Sequence, residues 1–227
     1  MYVFYIIFGL FFAVMFCGVR FLSLNIFGKS VCRIKNAEKN TVYLTFDDGP
    51  NPDITPSVLE LLEKYKQKAT FFCIAEKARK NRDTVKKIIE AGHTIGSHDL
   101  YHRPTDNFRR TRQMTQEIGE SARILEEISG LQIKFYRPPV GLSNPHLFVA
   151  LKRLNLQCAG WSKSARDGKN RILSAIKNIP KLANAKDGDI ILLHDDSPVK
   201  NKKIFLENLE KLLSNLEKAG KRSKGIF

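Results

Sequence analysis

The chain has 227 residues, with 38 Lys and Arg against 23 Asp and Glu (formal net charge +15), 43% hydrophobic and 27% charged. That length buries a sizeable core in one large domain or two small ones. Ordinary counts of Gly (14), Pro (9) and Cys (4) exclude collagen-like, disordered and disulfide-scaffold classes. The basic excess reads as solvated helix faces (Lys77, Arg79, Lys80, Arg82, Lys86, Lys87) with some attraction to an anionic membrane or wall polymer. No nucleic-acid motif or interleaving of basic and aromatic residues accompanies it, so no nucleic-acid partner is expected.

The first element is the uncharged run Met1 to Val19, MYVFYIIFGLFFAVMFCGV. Apolar on every side, it predicts one N-terminal transmembrane helix, with residues 1–27 as anchor and 28–40 as a polar linker. No basic stretch precedes it and no small-x-small site follows, which favours an uncleaved anchor over a signal peptide. Arg20, Lys29, Arg33 and Lys35 follow the run and, by the positive-inside rule, place the remainder in the cytoplasm. The function read below places it on the outer, periplasmic or extracellular, side. Cys32, Cys73 and Cys158 lack CxxC spacing and offer neither a disulfide framework nor a zinc-thiolate site.

From Thr41 on, short β-type runs alternate with longer helical ones. Val42–Phe46 reads as a strand and Ile54–Lys66 as a helix. Ala69–Ile74 is a strand, Asp83–Ala91 a helix stopped by Gly92, and Thr94–Ser97 a strand. Met114, Ile118, Ala122, Leu125 and Ile128 form the stripe of a long helix closed by Gly130. Lys134–Tyr136 (strand), Asn144–Leu154 (helix), Leu156–Trp161 (strand), Arg171–Ala183 (helix), Asp189–Leu193 (strand) and Lys203–Lys218 (helix) complete the pattern. Repeated βα units imply a parallel sheet covered by helices, either an open doubly wound sheet or a barrel.

The chemically able residues fall where strands end, the edge that holds the site in βα folds. Asp47 and Asp48 follow the first strand and precede Gly49-Pro50; alone, such a pair is commonly a turn. His98 and His102 follow Ser97, and two imidazoles four apart can bind a divalent metal if a carboxylate completes the set. Arg137 and His194 each end a strand. His93, His146, Asp106, Asp195 and Asp196 read as cap or loop residues, with Asp195 and Asp196 solvating the last loop.

Taken together, Thr45-Phe46-Asp47-Asp48-Gly49-Pro50, His98 to His102, Arg137-Pro138-Pro139-Val140-Gly141, Asp167 and Leu192-Leu193-His194 resemble the successive motifs of the polysaccharide deacetylases, the NodB-homology domain of carbohydrate esterase family 4. The resemblance covers about residues 41–227. It implies a deformed (β/α) barrel and metal-dependent removal of N- or O-acetyl groups, N-acetyl first, from an acetylated glycan. By the same resemblance Asp48, His98 and His102 correspond to the metal ligands, for Zn²⁺ first and Co²⁺ or Ni²⁺ as alternatives. Asp47 corresponds to the general base, Arg137 to its tether, His194 to the general acid and Asp167 to the group orienting that histidine. The Val140 backbone N–H would be an oxyanion donor, and Leu192 with Trp161 would line an acetyl-methyl pocket.

The chemistry is coherent in its own right. A divalent ion with three protein ligands keeps positions open for water and the acetyl carbonyl, Asp47 accepts the water's proton, and His194 supplies one to the leaving amine. Three positions depart from the family pattern: Asp99 stands where Ser or Thr is usual, Val140 replaces an aromatic residue, and Gly168 stands where Trp is usual. Asp99 would add a carboxylate behind the ligands or alter the turn; the two lost rings imply a more open sugar site. Two rival readings are a zinc metallopeptidase built on His98-Asp99-Leu100-Tyr101-His102, which requires that segment to be helical, and an inactive membrane-tethered glycan-binding domain. The sequence sets no oligomeric state.

Overall fold

The computed structural model describes residues 2–168, 171–196 and 199–226. In chain order these form α1 (Tyr2–Arg20), β1 (Ser30–Val31), β2 (Thr41–Asp47), α2 (Thr55–Lys64), β3 (Ala69–Cys73), α3 (Ala75–Lys80), α4 (Arg82–Glu90) and β4 (Thr94–Ser97). Then follow α5 (Thr111–Ser129), β5 (Phe135–Tyr136), α6 (Pro145–Arg153), β6 (Gln157–Ala159), β7 (Lys163–Ser164), α7 (Ile172–Asn178), β8 (Ile190–His194), α8 (Lys202–Lys218) and β9 (Arg222–Ser223). The strands run in the order β1-β6-β5-β4-β3-β2-β8-β7, with β9 on β2, and every ladder between them is parallel. Among the described residues no ladder joins β1 to β7, so the sheet is a deformed (β/α) half-barrel rather than a closed ring.

Period-two alternation explains the two cores. On β2, Val42, Leu44 and Phe46 join the large cluster beneath the helices, where Leu62, Leu125, Phe205, Leu209 and Leu212 are buried. Tyr43 faces the other way and packs with Phe72, Phe135, Ala159, Ile190 and Ile226 inside the half-barrel. Covered on both faces, β2 is buried along its whole length, as a central parallel strand must be. The helix expected over Arg171–Ala183 stops at Asn178 and continues as a 3-10 turn, Ile179–Asn184, because Pro180 lacks an amide hydrogen and restricts the residue before it. Within the expected linker, Ser30–Val31 is an edge strand paired with Cys158 and Ala159.

The N-terminal expectation requires correction. A helix does form there, but among the described residues no helix is long and apolar enough to cross a membrane. The helix, α1, has 19 residues and ends on Arg20. Phe4, Phe8, Phe11 and Phe12 of α1 are exposed. Its C-terminal end docks on the loop after Gly141, where the Ser143 amide donates to the Val19 carbonyl (3.1 Å) and the Ser143 hydroxyl to the Gly18 carbonyl (2.8 Å).

Candidate active site

At the C-terminal end of β2, Asp47 is the last strand residue and Asp48 adopts a left-handed backbone (φ 72°). That turn breaks strand alternation, and both carboxylates line one cleft. The next residue has to be glycine: a Cβ on Gly49 would lie 2.4 Å from Asp195 Oδ1. His98 follows β4, and the loop places His102 beside it with ring centroids 4.7 Å apart. His98 Nδ1 lies 2.8 Å from the Arg137 carbonyl, so Nδ1 carries the proton and the Nε2 lone pair faces the cleft. Asp48 Oδ1 lies 3.3 Å from His98 Nε2 and 3.2 Å from His102 Nε2, and is buried without a hydrogen-bond partner. One atom from each of these three residues lies within 4.8 Å of the others. A bare carboxylate oxygen facing two imidazole nitrogens is a donor set suited to a divalent transition metal, and the expected ligands fit it.

Beside this triad sits Asp47, only 2% exposed. The fully buried Arg137 donates through one amino group to Asp47 Oδ1 (2.7 Å) and the Thr45 hydroxyl (2.7 Å), and through the other to the Gly160 carbonyl (2.8 Å). The guanidinium lies 4.0 Å from the centroid of the Phe72 ring. Across the cleft, His194 ends β8; Asp167 Oδ1 accepts from its Nδ1 (2.9 Å) and Oδ2 from its amide (3.1 Å). Burial alone would lower the His194 pKa, but the hydrogen bond and charge of Asp167, with Asp47 and Asp48 adding, push it up to about 9. Burial likewise opposes protonation of His98, and Asp47 and Asp48 outweigh it and raise its pKa. For Asp48 burial acts upward, yet His98 and His102 hold it well below the usual carboxylate range.

The cleft, of about 230 Å³, is also lined by Val140, Gly141, Trp161, Ser164, Arg166, Gly168, Arg171 and Leu192. All ten residues singled out in the sequence are thereby brought to one edge of the sheet: nine line this cleft or, as Arg137 does, buttress it, and Asp167 backs His194 from behind. Val140 takes a left-handed conformation (φ 50°) at the cleft mouth and is half-exposed. A larger surface depression of about 670 Å³ between α2 and α8 holds none of these residues.

Sequence reading places Thr45 in a motif but assigns it no role, although its i, i+2 relation to Asp47 on β2 puts both on the inner face. It also missed Asp195, expected to solvate a loop. The side chain is fully buried, accepts from the Thr55 hydroxyl at 2.5 Å, and burial raises its pKa to about 7. His93 is likewise buried, where its Nδ1 accepts from the Ala69 amide (3.2 Å). The metallopeptidase reading fails on geometry: residues 98–102 form a loop with positive φ at Asp99 (72°) and His102 (58°), whereas that motif requires one continuous helix.

The polysaccharide deacetylase family model matches residues 34–159. The chain belongs to the polysaccharide deacetylase family. It is 36% identical over 191 residues to a peptidoglycan-N-acetylglucosamine deacetylase of Bacillus cereus, covering 83% of this chain and 87% of that protein. It is 34% identical to a chitooligosaccharide deacetylase of Azorhizobium caulinodans, covering 70% and 76%. Among solved structures it is similar to Bacillus subtilis PdaA, a family 4 carbohydrate esterase, with a TM-score of 0.72 and 28% identity over 86% of this chain and 82% of that one. The polysaccharide deacetylase is therefore a carbohydrate-active hydrolase. The family match ends before Asp167 and His194, so the acid side of this deacetylase's cleft rests on the observed pairing of those two residues.

Proposed function

We propose that this polysaccharide deacetylase removes N-acetyl groups from a cell-envelope glycan, using a divalent cation, zinc first, held by Asp48, His98 and His102. The observation that carries the reading is the opposition across one cleft of an Arg137-clamped carboxylate and an Asp167-paired histidine, with three converging ligand atoms between them. A cation held there supplies Lewis acidity toward the acetyl carbonyl and lowers the pKa of water. Asp47, kept in place by Arg137, takes the proton of the attacking water as its oxygen bonds to the carbonyl carbon. The Val140 backbone N–H faces the negative charge that develops on the acetyl oxygen. His194, held as imidazolium by Asp167, delivers a proton to the amine nitrogen as the C–N bond breaks, leaving acetate and a free amine. Leu192 and Trp161 enclose the acetyl methyl.

The relatives act on peptidoglycan N-acetylglucosamine and on chitooligosaccharides, which favours an N-acetylated hexosamine polymer. We place the catalytic domain on the glycan-bearing outer side of the cell membrane, with the apolar α1 toward that membrane. Acetate release from peptidoglycan, chitin oligomers and acetylated xylan, with Zn²⁺ or Co²⁺ added, tests the reading. Release from the amino-sugar polymers supports it; release from none, or from xylan alone, overturns it.

A further inference from the structure

Three carboxylates gather outside the catalytic cleft: Asp99 in the loop after β4, Asp106 in the 3-10 turn Pro104–Phe108, and Glu117 on α5. They are 2%, 8% and 7% exposed, and each offers an oxygen within 4.8 Å of the other two. One guanidinium answers two of the three: Arg109 pairs with Glu117 and, at 3.0 Å, with Asp106 Oδ1. Two oxygens remain unanswered. Asp99 Oδ2 and Asp106 Oδ2 are both buried without a hydrogen-bond partner. Asp99 otherwise accepts from the backbone amides of Leu100 and His102 and, through Oδ1, a long bond from the Tyr136 hydroxyl (3.5 Å). Bare buried carboxylate oxygens call for a partner of positive charge.

The chemistry of the donors says what that partner is. Three protein carboxylates in one buried site suit calcium, which takes many oxygen ligands, better than magnesium, which keeps several waters and is usually held by one or two carboxylates. A donor set made wholly of oxygen selects such a hard cation over zinc. We propose that Asp99, Asp106 and Glu117 form a second cation site, of calcium type, separate from the Asp48, His98 and His102 triad. It depends on Asp99, one of the three positions at which the sequence departs from the pattern it otherwise resembles. The ion would tie the loop that carries His98 and His102 to the long helix α5, bracing those two imidazoles from behind.

The test uses the full chain loaded with zinc, equilibrated with Ca²⁺ and analysed for both metals, with Tb³⁺ luminescence sensitised by Tyr136 as a second readout. The expected result is one zinc and one calcium per chain, with Ca²⁺ displacing Tb³⁺. Asp106→Asn and Glu117→Gln should keep the zinc and weaken calcium at least tenfold. Zinc alone in the wild-type protein would overturn the proposal, because protons would then neutralise the acids; this result requires no variant to fold. Calcium bound with unchanged affinity in both variants would overturn it equally.

Discussion

Arg137→Met removes the cation from a carboxylate that has almost no access to water. Asp47 is 2% exposed and Arg137 fully buried, so the substitution leaves an interior charge without its hydrogen-bonded cation, which costs up to about 3–5 kcal/mol. Loss of the guanidinium over Phe72 adds up to about 2 kcal/mol. Against a typical domain stability of ~5–15 kcal/mol, a loss of this size should move unfolding to markedly lower urea. Adding Asp47→Asn removes the stranded charge, so the double variant should be more stable than the sum of the single effects predicts, by ~2 kcal/mol or more. Urea titrations of the four proteins give this cycle directly. An Arg137→Met variant within ~1 kcal/mol of wild type, or strict additivity of the pair, would refute the argument that Arg137 is there to hold an ionised Asp47.

Asp167→Asn should move the alkaline limb of kcat/KM downward, because the His194 pKa of about 9 is set against burial chiefly by Asp167; an unmoved limb would dissociate that histidine from acid catalysis. The same pairing has a stability consequence in metal-free protein. His194 is raised from 6.5 when unfolded to about 9 when folded, so its contribution, roughly 3 kcal/mol, is fully present below pH ~6.5 and lost as pH rises through about 9. Urea midpoints from pH 6 to 10 should show this decline in wild type and little of it in Asp167→Asn. Gly141→Ala should destabilise by at least ~1–2 kcal/mol, since φ is +68° and a Cβ would fall 2.4 Å from the Trp161 ring. The melting temperature and the KM for glycan should both report it.

Much of this was legible in the sequence because the informative signals are local. Strands could be read from apolar, β-rich runs such as Val42–Phe46, and α8 from Phe205, Leu209, Leu212 and Leu216 at helical spacing. What was illegible depends on distant partners. Asp195 looks like a loop acid until Thr55, 140 residues away, supplies its hydrogen bond. Ser30–Val31 is too short to show any period and is a strand only because β6 lies beside it. The six residues of α3, mostly charged, carry too few apolar positions to form a stripe. The apolar N-terminal run predicted a membrane crossing; a helix forms there, but among the described residues none is long and apolar enough to cross a membrane.

The most direct test pairs zinc content with acetate release from an N-acetylglucosamine oligomer in three proteins: wild type, Asp48→Ala and Asp47→Asn. Wild type should hold zinc and release acetate, and Asp48→Ala should lose both. Asp47→Asn should retain the zinc while its rate falls by ~10²–10⁴. Full acetate release from zinc-free Asp48→Ala, or an undiminished rate in Asp47→Asn, would contradict the assignment.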